Sequence, residues 1–160
     1  MAQDLQSLRV LFPYGLELPN AAITGISSLR KLELESVNIH AATLFDLLTR
    51  SAGTLRTVYF RNLQLKSGTW ETLLTAMCNF PRLTNFTLHI GYDPKGESKK
   101  YNSCLLQHRW GELEKDEEEE INTCHFRDRR ALNDFVEAVI TNRVREGLEP
   151  YSALDSYSYA

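Results

Sequence analysis

Two cysteine–histidine pairs are the residues of this 160-residue chain best equipped for chemistry: Cys104 with His108, and Cys124 followed directly by His125. A thiolate and an imidazole can share a zinc ion, or act as nucleophile and base. Here the acidic run Glu114–Glu120 separates the two pairs, and adjacent side chains such as Cys124 and His125 do not converge easily on one ion. No metal site is therefore expected, and no cofactor. A nucleophile pair would need an oxyanion hole, and no segment signals one. GxGxxG, P-loop and G-x-S-x-G motifs are all missing from the sequence. Glu33 and Glu35 stand two apart on one predicted strand face, but paired carboxylates on an open sheet lack the desolvated walls that tune an acid–base pair. The expectation is a protein that is not an enzyme.

Charge and composition narrow the remaining classes. A net charge of −3 argues against nucleic acid as a partner, which calls for a concentrated basic surface. No run of about 18 apolar residues occurs, so no membrane partner or span is expected. The start, Met1-Ala2-Gln3-Asp4, lacks a basic segment followed by an apolar one, so no secretory signal is read there. Three cysteines at unpatterned spacing fit a reducing compartment, which gives an intracellular expectation, cytoplasmic or nuclear.

The elements that would position any site follow a repeat. Leu29, Leu32, Leu34, Val37 and Ile39 are spaced by steps of 3, 2, 3 and 2. The same steps run through Leu55, Val58, Phe60, Leu63 and Leu65, and begin again at Leu83, Phe86, Leu88 and Ile90. The copies are offset by 26 residues (29 to 55) and 28 residues (55 to 83), with a fainter copy at Leu5, Leu8 and Val10. Between them the apolar period lengthens to that of a helix, at Leu44/Leu47/Leu48 and at Trp70/Leu73/Leu74/Met77. Ala42 or Thr43 is expected to open the first of these helices, and Ser67-Gly68-Thr69 with Glu71 the second. Each unit is then a strand, a turn and a crossover helix that buries its apolar positions only by stacking on its neighbours.

This pattern resembles leucine-rich repeats, whose period is about 20–29 residues. The expected fold is α/β, a short leucine-rich-repeat solenoid with parallel strands on the concave face and helices on the convex face. It departs from that consensus at Val37, Leu63 and Gly91, where a turn asparagine or cysteine would stand. More narrowly, the chain is similar to the repeat region of fungal F-box-type proteins. The similarity rests on Leu29–Ile39, on Leu63–Leu74 with its Ser-Gly-Thr-Trp helix start, on Leu83–Leu88, and on the closing segment Asp128–Ile140. It covers about residues 5–145. The resemblance implies a substrate-recruiting arm of a ubiquitin ligase. No segment resembles an F-box, so a ligase adaptor is expected as a partner only if one lies upstream.

Residues between the strand leucines should line the concave face, because strand side chains alternate. Those expected to touch a partner protein are Lys31, Glu33, Glu35, Tyr59, Arg61, Thr87 and His89, flanked by Ser7, Arg9 and Leu11. Parallel stacking puts Glu35 beside Arg61, Arg61 beside His89, and Tyr59 between Glu33 and Thr87. An aromatic set among arginine and carboxylates suits an interface. A structural fragment with no specific partner is the alternative.

The repeats are assigned to 1–93 and an irregular acidic segment to 94–126. A capping helix follows over 127–147, carrying Leu132, Phe135, Val136, Val139 and Ile140 on one stripe, then a tail over 148–160.

Overall fold

The apolar steps resolve into strands and crossover helices. The computed structural model describes residues 5–89, 107–108 and 126–150. Strands β1 (Ser7–Glu17), β2 (Lys31–His40), β3 (Thr57–Arg61), β5 (Asn85–His89) and β6 (Gln107–His108) lie side by side in that order. β4 (Gln64–Ser67) pairs with the second half of β2. The first five strands pair in parallel, and only β6, within the segment expected to be irregular, runs antiparallel, against β5. The result is a mixed α/β architecture whose six-stranded sheet stays open.

Parallel neighbours need a crossover. Helices α1 (Asn20–Ile23), α2 (Ala41–Ser51) and α3 (Trp70–Met77) supply it, and α4 (Phe126–Arg145) follows, close to the expected 127–147. Leu32, Leu34, Val58, Phe60, Phe86 and Leu88 turn one sheet face inward, where they join Leu44, Leu47, Leu48, Trp70, Leu73, Leu74 and Met77 from the helices. Burying each such side chain contributes about 1.5–3 kcal/mol, so the stacked stripes account for most of the cohesion.

A repeated hydrogen-bond pattern sets the register. The amides of Arg30 and Lys31 both donate to the Gln6 carbonyl, at 2.8 and 3.0 Å. Those of Arg56 and Thr57 donate to Arg30 at 2.8 and 3.0 Å, and those of Thr84 and Asn85 to Arg56 at 3.1 and 3.0 Å. After this last unit a side chain continues the series. Arg143 Nη1 of α4 donates to the Thr84 carbonyl at 3.0 Å. Asn142 Nδ2, buried, donates to the carbonyls of Phe80 and Leu83 at 2.8 and 3.0 Å. The Arg143 side chain thus occupies a place that backbone amides fill elsewhere in the stack, whereas Asn142 at Leu83 O matches Thr54 Oγ1, which donates to the equivalent Leu29 carbonyl at 2.8 Å.

The step of three in each strand has a local cause. Simple alternation would turn Ser36 and Asn62 inward, but both are left-handed, with φ of 56° and 51°. One left-handed residue swings the chain so that Val37 and Leu63 point into the core instead. A second short parallel ladder then begins, pairing Asn38 with Gln64 and Ile39 with Leu65. The bend that the missing consensus asparagine left open is therefore made one residue earlier. Asparagine tolerates this conformation better than serine. Ser36→Gly should stabilise the fold by about 0.5–1 kcal/mol in chemical denaturation, because glycine visits positive φ without a Cβ clash. An unchanged or lower midpoint would count against a strained Ser36.

Helix ends follow their chemistry, with one correction. Thr69 caps α3 as expected, its Oγ1 accepting from the Thr72 amide at 3.3 Å. α2, however, starts at Ala41, ahead of Ala42 and Thr43, and its N-cap His40 makes no side-chain capping bond. The β2 ladder runs as far as His40 and so fixes where the helix can begin. α4 ends on Gly147 at φ 74°, where the Leu148 amide donates to Arg143 O (2.9 Å) and the Gly147 amide to Val144 O (3.0 Å). That pair of bonds is a Schellman termination.

Candidate functional site

Since one sheet face is packed under the helices, the other carries the polar alternates. Register places them in three rows. Ser7, Lys31, Thr57 and Asn85 form the first; Arg9, Glu33, Tyr59 and Thr87 the second; Leu11, Glu35, Arg61 and His89 the third. The neighbours anticipated from sequence are all present: Glu35 beside Arg61, Arg61 beside His89 in the backbone register, and Tyr59 between Glu33 and Thr87. At one end of the first row, Arg143 Nη1 of α4 donates to Asn85 Oδ1 at 2.8 Å. Glu33, Glu35, Tyr59 and Thr87 are half-buried, and Lys31 and Arg61 are exposed.

Its charges pair with one another. Glu33 receives Lys31 Nζ at 2.9 Å and Arg9 Nε at 3.6 Å, and Glu35 receives Arg61 Nη1 at 3.3 Å. Solvent-accessible pairs of this kind contribute about 0–1 kcal/mol each to stability. They do fix the long side chains around Tyr59, so that an aromatic ring lies among oriented donors and acceptors. Such a surface can recognise a partner's polar groups.

A second constellation, which no motif announced, lies at the carboxyl ends of β1, β2 and β4. His40 Nδ1 is 2.9 Å from Ser67 Oγ, and His40 Nε2 is 3.5 Å from Glu17 Oε1. Lys66 donates to Glu17 Oε2. The order Ser–His–Glu has the connectivity of a nucleophile relay, but all four side chains stand in solvent. Without a desolvated wall it acts as a polar strap joining three successive units. Sequence reasoning missed it because Glu17, His40 and Ser67 come from separate units at ordinary surface positions.

The hydrogen bond and charge of Lys66 hold the Glu17 carboxyl below its ordinary value of 4.5, with His40 adding to the effect. A carboxylate lowered on folding stabilises the fold above its unfolded pKa, and that stabilisation is lost as pH falls through the lowered value. Lys66→Met should move the Glu17 titration back up towards 4.5, as read from its side-chain carboxyl resonance. A titration unmoved by the substitution would dissolve the strap.

Of the thiols weighed above, Cys104 and Cys124 lie outside the described residues, as do Gly91 and the acidic run. Cys78 is half-buried, and its Sγ donates to Leu74 O at 3.3 Å. Desolvation, with a contribution from the Asp134 charge, pushes its pKa up, which disfavours the nucleophilic thiolate. Among the described residues no helix is long and apolar enough to cross a membrane.

Comparisons with known protein families, with curated proteins and with solved structures found no match.

Proposed function

We propose that this chain is a non-catalytic protein-binding module of the leucine-rich-repeat type. In this reading the polar sheet face is the concave surface of a short solenoid, with the helices on its convex side. It would act as a substrate-recruiting arm like that of a fungal F-box ubiquitin-ligase subunit, and would meet the ligase adaptor only through an F-box upstream. The observation that carries the proposal is the register that gathers Lys31, Glu33, Glu35, Tyr59, Arg61, Thr87 and His89 from three strands onto one face. The unit period and the ladder repeated at each strand start support the repeat reading. A ring held among charged neighbours has the composition from which binding hot spots are drawn.

The test compares the two faces. A partner captured from cells of the source organism should bind a Tyr59→Ala/Arg61→Ala variant at least about tenfold more weakly than the parent chain. Phe45→Ala, at an exposed position on α2, should leave binding unchanged. Undiminished affinity of the double variant, or an equal loss from Phe45→Ala, would overturn the proposal.

A further inference from the structure

At the carboxyl ends of β1, β2 and β4, the polar strap fixes more than the positions of its charges. It also decides which ring nitrogen of His40 carries the proton. Lys66 holds Glu17 Oε2, and Glu17 Oε1 faces His40 Nε2 at 3.5 Å. A carboxylate only accepts, so in the neutral ring the hydrogen belongs on Nε2 and the lone pair on Nδ1. That nitrogen is 2.9 Å from Ser67 Oγ and receives its hydroxyl hydrogen. Glu17, its carboxyl held below 4.5 by Lys66 and His40, keeps this arrangement throughout the neutral range. Ser67 itself is exposed at the last position of β4, just before Gly68. A Cβ built on Gly68 would lie 2.4 Å from that of Ala41, so this turn lies against the first residue of α2. The α2 N-cap, His40, makes no side-chain capping bond, and the positive end of the helix dipole therefore stands beside the hydroxyl.

We propose that Ser67 is an acyl-acceptor site, whose hydroxyl takes an acyl group from an activated ester or thioester with His40 as its base. Ser67 Oγ attacks the acyl carbonyl carbon while its proton passes to His40 Nδ1. The new Oγ–C bond forms, and the bond from that carbon to the leaving oxygen or sulfur breaks. The imidazolium then returns the proton to the leaving group, so the products are a Ser67 ester and a free alcohol or thiol. Glu17 is a positioning residue: it acts through the ring, holding the tautomer and offsetting the charge that the ring gains. The transfer is stoichiometric and so compatible with a non-catalytic module. Solvent exposure denies the cluster the rate gain of a walled site, yet the same exposure admits the acyl donor. Acylation also removes the hydrogen that Nδ1 receives, so the modified Ser67 no longer donates to His40.

The test treats the full chain with p-nitrophenyl acetate, locates acetyl groups by peptide fragmentation in a mass spectrometer, and separates esters from amides by their release with hydroxylamine. Thermal melts check that each variant is folded. An acetyl ester should form on Ser67 at least about tenfold faster than on the exposed Ser7 and Ser27. Its rate should rise between about pH 5 and 8, where histidine titrates, and then level off. His40→Gln should slow the transfer about tenfold and abolish the levelling. Glu17→Gln should also slow it, with part of the loss recovered in Glu17→Asp, and Ser67→Ala should yield no ester in this segment. Esters formed equally on Ser7, Ser27 and Ser67, a Ser67 rate indifferent to His40→Gln, or acetyl found only on nitrogen would overturn the proposal.

Discussion

Gly68→Ala should destabilise the fold by about 3 kcal/mol, because two independent penalties meet at this position. Gly68 sits at φ +80°, where an L side chain is strained by about 1–2 kcal/mol. A Cβ built there would also lie 2.4 Å from the Cβ of Ala41, the buried first residue of α2. Ala41 has no flexible end to swing aside, so either the turn before α3 or the start of α2 must shift, an overpacking penalty of about 1–3 kcal/mol. Urea denaturation should show a lower midpoint with an unchanged slope. The steric part is separable: in an Ala41→Gly background, Gly68→Ala should lose only the dihedral penalty. A loss below about 1 kcal/mol in the parent background would mean that the units do not approach this closely.

That contact shows which parts of the fold were readable from sequence. The Ser-Gly-Thr-Trp start of α3 stood out as distinctive, and the glycine in it turns out to be where one unit touches the next. Strand identity and register were also legible, because alternation of Leu32/Leu34, Val58/Phe60 and Phe86/Leu88 with polar residues admits one way of sharing a core. Hence the Glu35–Arg61 and Glu33–Tyr59–Thr87 neighbours could be anticipated. The bends at Ser36 and Asn62 were not, because the expected turn signal is a side chain one position later, while the fold uses backbone dihedrals. The start of α2 was misplaced for a related reason. Thr43 resembles a cap, but the β2 ladder extends to His40 and the helix follows at once. Contacts between distant units, such as Glu17 with His40 and Lys66, leave no periodic trace at all. The same is true of Asn142 and Arg143, whose roles depend on carbonyls about sixty residues earlier.

These last contacts bear on how the stack holds together, and Phe135→Ala tests them most severely. Phe135 is fully buried on α4, its ring 4.8 Å from that of Phe86 on β5 in an edge-on arrangement. Truncation to alanine should lower stability by about 3–5 kcal/mol, the usual loss for a buried phenylalanine that leaves a cavity. The loss should not stay local. If α4 lifts away, the carbonyls of Phe80, Leu83 and Thr84 lose their side-chain donors, and Phe86, Leu83 and Met77 are left at an uncovered end of the core. Stability in a stack of units that touch only their neighbours is close to a sum of interface terms, so an opened end weakens the next interface inward. Amide exchange should therefore accelerate most along β5, less along β3 and least along β2, while the global midpoint falls. A midpoint that stays put while α4 alone becomes labile would show that the helix is an appendage, with the stack complete at β5.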